Sequence, residues 1–276
     1  MSNFIKKNTG GRGNQKIQSC VNSLLDRYSH YMGYFAPPIE ASVLAKLQNA
    51  RIIYRQGSDH WISSLMPIGS GFVINVNKSL PISRKRNAIC HEIGHTFFFD
   101  TSSKPPRRLN TSQSGYNEEL LCFCAAREML IPSSLCKREI SRFEPETIYN
   151  FEGISKLAKI FLVSSDVMAC RLTHDLALLG NDWITLWYSN LKKEENVSPR
   201  SLYPKHISNS ISGYMKREIL SSLRKTILER KRKITLEPKE IILGKRKKLR
   251  FIIRTELVNK QRLFAISWIS PLSKLK

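Results

Sequence analysis

A chain of 276 residues, 41% hydrophobic and 24% charged, can bury one large core or two modest ones, which excludes a disordered or fibrous protein. The formal charge of +23 is unevenly spread: residues 192–276 carry 23 Lys/Arg against 7 Asp/Glu (net +16), and residues 1–191 carry 22 against 15 (net +7). Such a field draws polyanions without naming them, so a solvated lysine-rich face and a nucleic-acid contact both stand as readings of the C-terminal third.

Residues 1–13 read as a loose, polar N-terminus with neither the apolar stretch nor the cleavage site of a secretory signal. Apolar runs such as IFLV and TFFF are too short to span a bilayer, so the expectation is a cytoplasmic protein without membrane contact. The cysteines (Cys20, Cys90, Cys122, Cys124, Cys136 and Cys170) form no C-x-x-C pair and fit buried thiols in a reducing compartment. Cys122 and Cys124 would face different sides of a helix, which argues against a metal pair there.

Ile17, Val21, Leu24, Leu25, Tyr28 and Tyr31 recur at steps of three and four and predict an amphipathic helix from Asn14 to about Tyr34, broken by Pro37 and Pro38. A second helix is expected over residues 39–50. RIIYRQ and SGFVINVN predict two strands flanking a Gly/Pro/Ser stretch, read as a hairpin. Pro81 then opens a helix running through RKRNAICHEIGHTFFF. A polar loop over 100–117 follows, and then the helix EELLCFCAAREML, with Asn117 as its N-cap and Pro132 as its stop. Residues 154–176 predict helix, turn, helix; DWITLWYS predicts a strand, followed by a polar linker containing Pro199 and Pro204. The C-terminal part reads as one helix, SGYMKREILSSLRKTILERK, and three strands, RKITLEPKEIIL, KLRFIIRTEL and RLFAISWI. The fold class expected is α+β: a mostly helical domain with a small antiparallel sheet over 14–148, a helix-turn-helix-like segment over 149–180, and a basic α+β module over 181–276.

The helix from Pro81 contains His91, Glu92 and His95 in the spacing H-E-x-x-H. Residues four apart share a helix face, so both imidazoles can reach one ion. A catalytic Zn2+ takes three protein ligands and a water, with zinc–nitrogen bonds of roughly 2.0–2.1 Å. Glu92 would lean over that water as general base and then return the proton to the leaving amine. The alternative is a pair of hydrogen-bonded structural histidines. Gly94 leaves room for either substrate or packing, and Phe97, Phe98 and Phe99 would anchor the helix in the core.

The third ligand is less direct. The metzincin extension is excluded, because Phe98 and Thr101 stand where it needs Gly and His. Glu118 and Glu119 on the next helix both qualify, although acids at a helix start also have an ordinary role opposite the dipole. Chemistry alone leaves the two open.

LPISRKRNAICHEIGHTFFFD followed by EELLCFCAAREMLIP resembles the ImmA/IrrE family of metallo-endopeptidases, which pairs an H-E-x-x-H helix with a helix ending in F-A-x-x-L-L-x-P after a glutamate. Counting back from Pro132 sets Ala126, Met129, Leu130 and Ile131 on that pattern. The resemblance then implies His91, His95 and Glu119 as zinc ligands, with Glu118 as the fallback, and Glu92 as the catalytic base. Two positions depart from the pattern: Ala125 stands where Phe is usual and Phe123 where Asn or Asp is common, which bears on helix packing and on contacts behind the ligands. The resemblance covers roughly residues 35–180. It implies cleavage of a partner protein, a helix-turn-helix repressor, and so relief of transcriptional repression. Tyr116 and His174 are candidates to stabilise the oxyanion, each able to donate a hydrogen bond.

LAKIFLVSSDVMACRL has the cadence of a helix-turn-helix. Ala158 would sit at the helix crossing, residues 162–165 would form the turn, and Met168 and Leu172 would face inward; Leu162 replaces the usual turn glycine. Arg171 is essentially the one basic residue expected to be exposed on the second helix, which favours a two-helix packing unit over a DNA reader. In IrrE-like members a GAF-like sensor follows the peptidase, and the resemblance leaves that role open for the C-terminal module. The competing class for the whole chain is a DNA-binding or partner-binding regulator with a structural or vestigial metal site.

Overall fold

The computed structural model describes residues 11–58, 60–109, 115–144, 151–176 and 178, and the strands at 183–189, 197–202, 233–243, 247–259 and 264–271; those strands and residues 11–14, 115, 116, 151 and 174 are described by backbone alone. The fold is α+β. The chain divides into two compact units, Met1–Phe143 with Ser155–Met168, and Glu144–Ile154 with Ala169–Lys276.

The first unit opens with α1 (Gly11–Met32) and α2 (Ala41–Leu47). Ile17, Val21, Leu24, Leu25 and Tyr28 are buried, as their spacing predicts, whereas Tyr31 is half exposed and its hydroxyl accepts a hydrogen bond from Lys46 Nζ at 3.0 Å. Gly33, at φ +72°, ends α1 before the prolines are reached. The sheet consists of β1 (Ala50–Arg55), β2 (Ser63–Ile68) and β3 (Gly71–Asn77), in the order β1-β3-β2. It is mixed, not antiparallel. The two strands read as a hairpin, β1 and β3, run parallel, and β3 pairs instead with β2, which arises from the Gly/Pro/Ser stretch between them. Pro67 disguised that strand; proline lacks a ladder donor and is tolerated here because β2 is an edge. Gly71 is obligatory, since a Cβ there would lie 2.2 Å from the Asn49 carbonyl oxygen.

Next come α3 (Ile82–Thr96), the two-residue strands β4 (Phe99–Asp100) and β5 (Arg107–Arg108), α4 (Gly115–Leu130) and α5 (Ser133–Ile140). Within α3, Ile89 and Ile93 are buried; of the three phenylalanines after it, Phe98 is buried and Phe99 packs edge-on to Phe72, ring centroids 5.3 Å apart. Helix α4 starts two residues before Asn117, which therefore lies in its first turn and is not the cap. Pro132 ends α4 as expected and also stands at the N-cap of α5.

Helix α6 (Phe151–Ile160) and helix α7 (Ser165–Cys170) are joined by a tight turn, and α7 runs into a π-helical turn over Arg171–Asp175. Leu162 takes the glycine-like conformation, φ +50°, and Leu162 N–H and Val163 N–H donate to the carbonyls of Lys159 and Ala158, closing α6 with paired reverse hydrogen bonds. Ala158, Met168 and Leu172 are buried as the cadence predicts. Arg171 is not exposed: it is buried and ion-paired with Asp175 at 3.4 Å, so it offers no phosphate anchor. Arg86 of α3 is likewise buried, its guanidinium donating to the carbonyls of Ile39 (2.7 Å), Leu162 (3.2 Å) and Phe161 (3.5 Å).

The second unit contains β6 (Trp183–Ser189), β7 (Val197–Leu202), β8 (Lys233–Leu243), β9 (Lys247–Asn259) and β10 (Phe264–Pro271), an antiparallel sheet in the order β7-β6-β10-β9-β8. Four of these strands are the ones predicted. The fifth, β7, occupies the expected linker, and Pro199 is admissible within it because β7 is also an edge. The helix expected over 212–231 lies outside the described residues. Among the described residues, no helix is long and apolar enough to cross a membrane.

Candidate metal centre

Helices α3 and α4 pack against each other, and Gly94 sets their separation. A Cβ at residue 94 would lie 3.0 Å from Cys122 Cα and 3.2 Å from its Cβ. The missing side chain therefore serves packing, resolving the choice that the sequence left open. Gly94→Ala must push a backbone aside. Overpacking of this kind costs about 1–3 kcal/mol, against a helix-propensity gain of about 1 kcal/mol. The expected net result is destabilisation of about 1 kcal/mol, read from denaturant melts, with a weakened metal site read from zinc titration.

This close crossing brings the glutamates of α4 to the histidines of α3. His91 Nε2 and His95 Nε2 are 3.2 Å apart. Glu119 spans them, with Oε2 3.1 Å from His91 Nε2 and Oε1 3.3 Å from His95 Nε2. Four ligands at zinc's usual bond lengths stand about 3.3 Å apart along a tetrahedron's edges, so the three donors have the spacing of one zinc coordination face. Their protonation points the same way. Glu118 accepts from Arg108 Nη2 and lies 2.8 Å from His95 Nδ1, so a proton on Nδ1 has an acceptor there and the Nε2 lone pair is the one left for an ion. That lone pair faces both His91 Nε2 and a carboxylate oxygen. A proton on His91 Nε2 satisfies only one of these contacts, whereas a cation satisfies them all. Burial, with His95 second, lowers the pKa of His91 and so favours the neutral form that a metal requires.

A second grouping, His95 with Glu118 and Cys122, is also close enough to hold an ion. It fits less well, because Glu118 already takes Arg108 and burial pushes the Cys122 thiol up, away from the thiolate that a metal binds. The geometry thus separates the two candidate glutamates. Glu119, half exposed, is on the donor side; Glu118, 5% exposed, is behind His95.

Glu92 lies beside the triad, largely buried, and accepts a hydrogen bond from Ser63 Oγ at 2.7 Å. Burial raises its pKa and the Ser63 hydrogen bond opposes that rise. Ser63 was not visible in the sequence, because β2 itself was not. Arg108 was also missed: the pairing of Phe99 with Arg108 across β4 and β5 carries it to Glu118. Phe123 lies against His91, ring centroids 4.3 Å apart. The side chains of Tyr116 and His174, the two oxyanion candidates, are outside the described residues. All six cysteines are free thiols, and burial pushes Cys90 up to about 12.

No protein-family model and no curated protein sequence matches the chain. Among solved structures, a Mycobacterium tuberculosis transcriptional regulator is similar with a TM-score of 0.54, covering 99% of this chain and 82% of that one at 12% sequence identity. The likeness is one of fold.

Proposed function

We propose that the chain is a zinc-dependent endopeptidase, resembling the ImmA/IrrE enzymes, that hydrolyses a peptide bond in a partner protein, a helix-turn-helix repressor, and so relieves repression. The observation that carries this reading is the convergence of His91 Nε2, His95 Nε2 and the Glu119 carboxylate beside a buried, hydrogen-bonded Glu92. Zinc held by the three residues would supply Lewis acidity and an acidified water. Glu92, its pKa raised by burial, accepts the proton of the attacking water and later gives it to the leaving amine. Ser63 holds that carboxylate in place, and Glu118 with Arg108 fixes the ring of His95. Because β2 is an edge strand and Ser63 is on it, its free side offers an extended substrate backbone a ladder beside Glu92. Pro67 confines that ladder to the Ser63 end.

The competing reading is a DNA-binding or partner-binding regulator in which the metal site is structural or vestigial. It draws on the net +16 of residues 192–276, and transcriptional regulation is also the role named for the structural neighbour. Incubation of the purified chain with a panel of helix-turn-helix repressors decides between the two. The expected outcome is a discrete cleavage that a zinc chelator abolishes and added zinc restores. Cleavage indifferent to the chelator, or none with zinc present, sinks the peptidase reading.

A further inference from the structure

The two histidines of the centre are supported unequally. His95 Nδ1 faces Glu118 Oε1 at 2.8 Å, and Glu118 is in turn held by Arg108, a continuous chain of charge-assisted hydrogen bonds. Among the described residues, His91 has no counterpart: its buried Nδ1 meets no hydrogen-bond partner there, and the ring lies against the aromatic ring of Phe123, tilted by 44°. An imidazole that gives its Nε2 lone pair to a metal carries its proton on Nδ1. Leaving that N–H buried and unpaired weakens the metal-bound state. Phe123 has no acceptor to offer.

We infer that Phe123 holds the metal affinity of this centre down by denying His91 a hydrogen-bond acceptor, so that His95 with Glu118 and Arg108 is the anchored half of the site and His91 the easily released half. The inference rests on the metal-centre reading above. It assigns Phe123 as a positioning residue, acting on His91 through packing alone. Because Phe123 is 45% exposed, exchanging it for a small polar residue removes little core.

Zinc affinity of the full-length protein, measured by competition with a chromogenic chelator, tests this. Phe123→Asn and Phe123→Asp are expected to bind zinc about 10–100-fold more tightly than the parent, the usual value of an outer-shell partner, while Phe123→Leu stays within about threefold. Asparagine is neutral, so tightening shared by both polar variants reports an accepted hydrogen bond and not added charge. Glu118→Gln, which removes the negative charge facing His95 Nδ1 and Arg108, is expected to weaken binding by about 10–100-fold. If the Asn and Asp variants bind no tighter than the parent while Glu118→Gln binds more weakly, the inference about Phe123 is overturned and the metal centre stands. If the parent binds zinc no better than His91→Ala, the metal centre falls and the inference with it.

Discussion

Glu92→Gln is expected to retain zinc at the parent level and to lose cleavage by at least ~100-fold, within the range of ~10²–10⁴ that a positioned general base contributes. The amide keeps the shape of the carboxylate and can still accept the Ser63 hydroxyl at its oxygen, so that hydrogen bond is preserved while the proton acceptor is lost. Folding should not suffer. Burial disfavours the charged form of Glu92, and a neutral amide does not carry that penalty, so a thermal melt should show the variant at least as stable as the parent. His91→Ala provides the contrast, with both metal and activity gone. Normal cleavage by Glu92→Gln would remove the proposed mechanism. Loss of zinc together with activity would show that Glu92 belongs among the ligands.

Replacing the two neighbouring glutamates should separate them in kind. Glu119→Ala removes a donor that spans both Nε2 atoms, so zinc affinity should fall by more than the ~10–100-fold typical of an outer-shell partner. Its side chain is half exposed, and stability without metal should change little. Glu118→Ala should do the reverse. It leaves His95 Nδ1 and Arg108 without their buried acceptor, costing about 1–3 kcal/mol of stability, while the donor triad survives with weaker affinity. Zinc content by elemental analysis, set beside denaturant melts, reads both effects. Equal zinc retention in the two variants would refute the choice of Glu119.

The parts of this site that the sequence shows are the parts with local spacing. His91 and His95 share a helix face at any four-residue step, whereas Glu119 is set apart from Glu118 in the sequence only by the family resemblance counted back from Pro132. The parts it hides come from elsewhere in the chain. Ser63 reaches Glu92 from a strand that Pro67 made look like a loop, and Arg108 reaches Glu118 from a strand of two residues. The parallel pairing of β1 and β3 was illegible for a related reason: neighbouring strands suggest a hairpin, and the intervening strand had gone unrecognised. Periodicity likewise put Arg171 on an outer face, because it does not register the Asp175 that draws it inward. Gly94 leaves two roles open in the sequence and Phe123 departs from the family pattern, but only the contacts with Cys122 and His91 say what each does.

The Arg86 guanidinium bears on where the first unit can be cut. Its three carbonyl acceptors come from positions 47, 75 and 76 residues away along the chain. A fragment ending at residue 148, where the motifs alone would draw the boundary, keeps the H-E-x-x-H helix and both glutamates. It also strands a buried positive charge with one acceptor in place of three, five residues before His91 on the same helix. The shortest self-sufficient version of the first unit therefore has to run through the end of α6 and the turn at Leu162, and truncations designed for expression or crystallisation should begin from that limit.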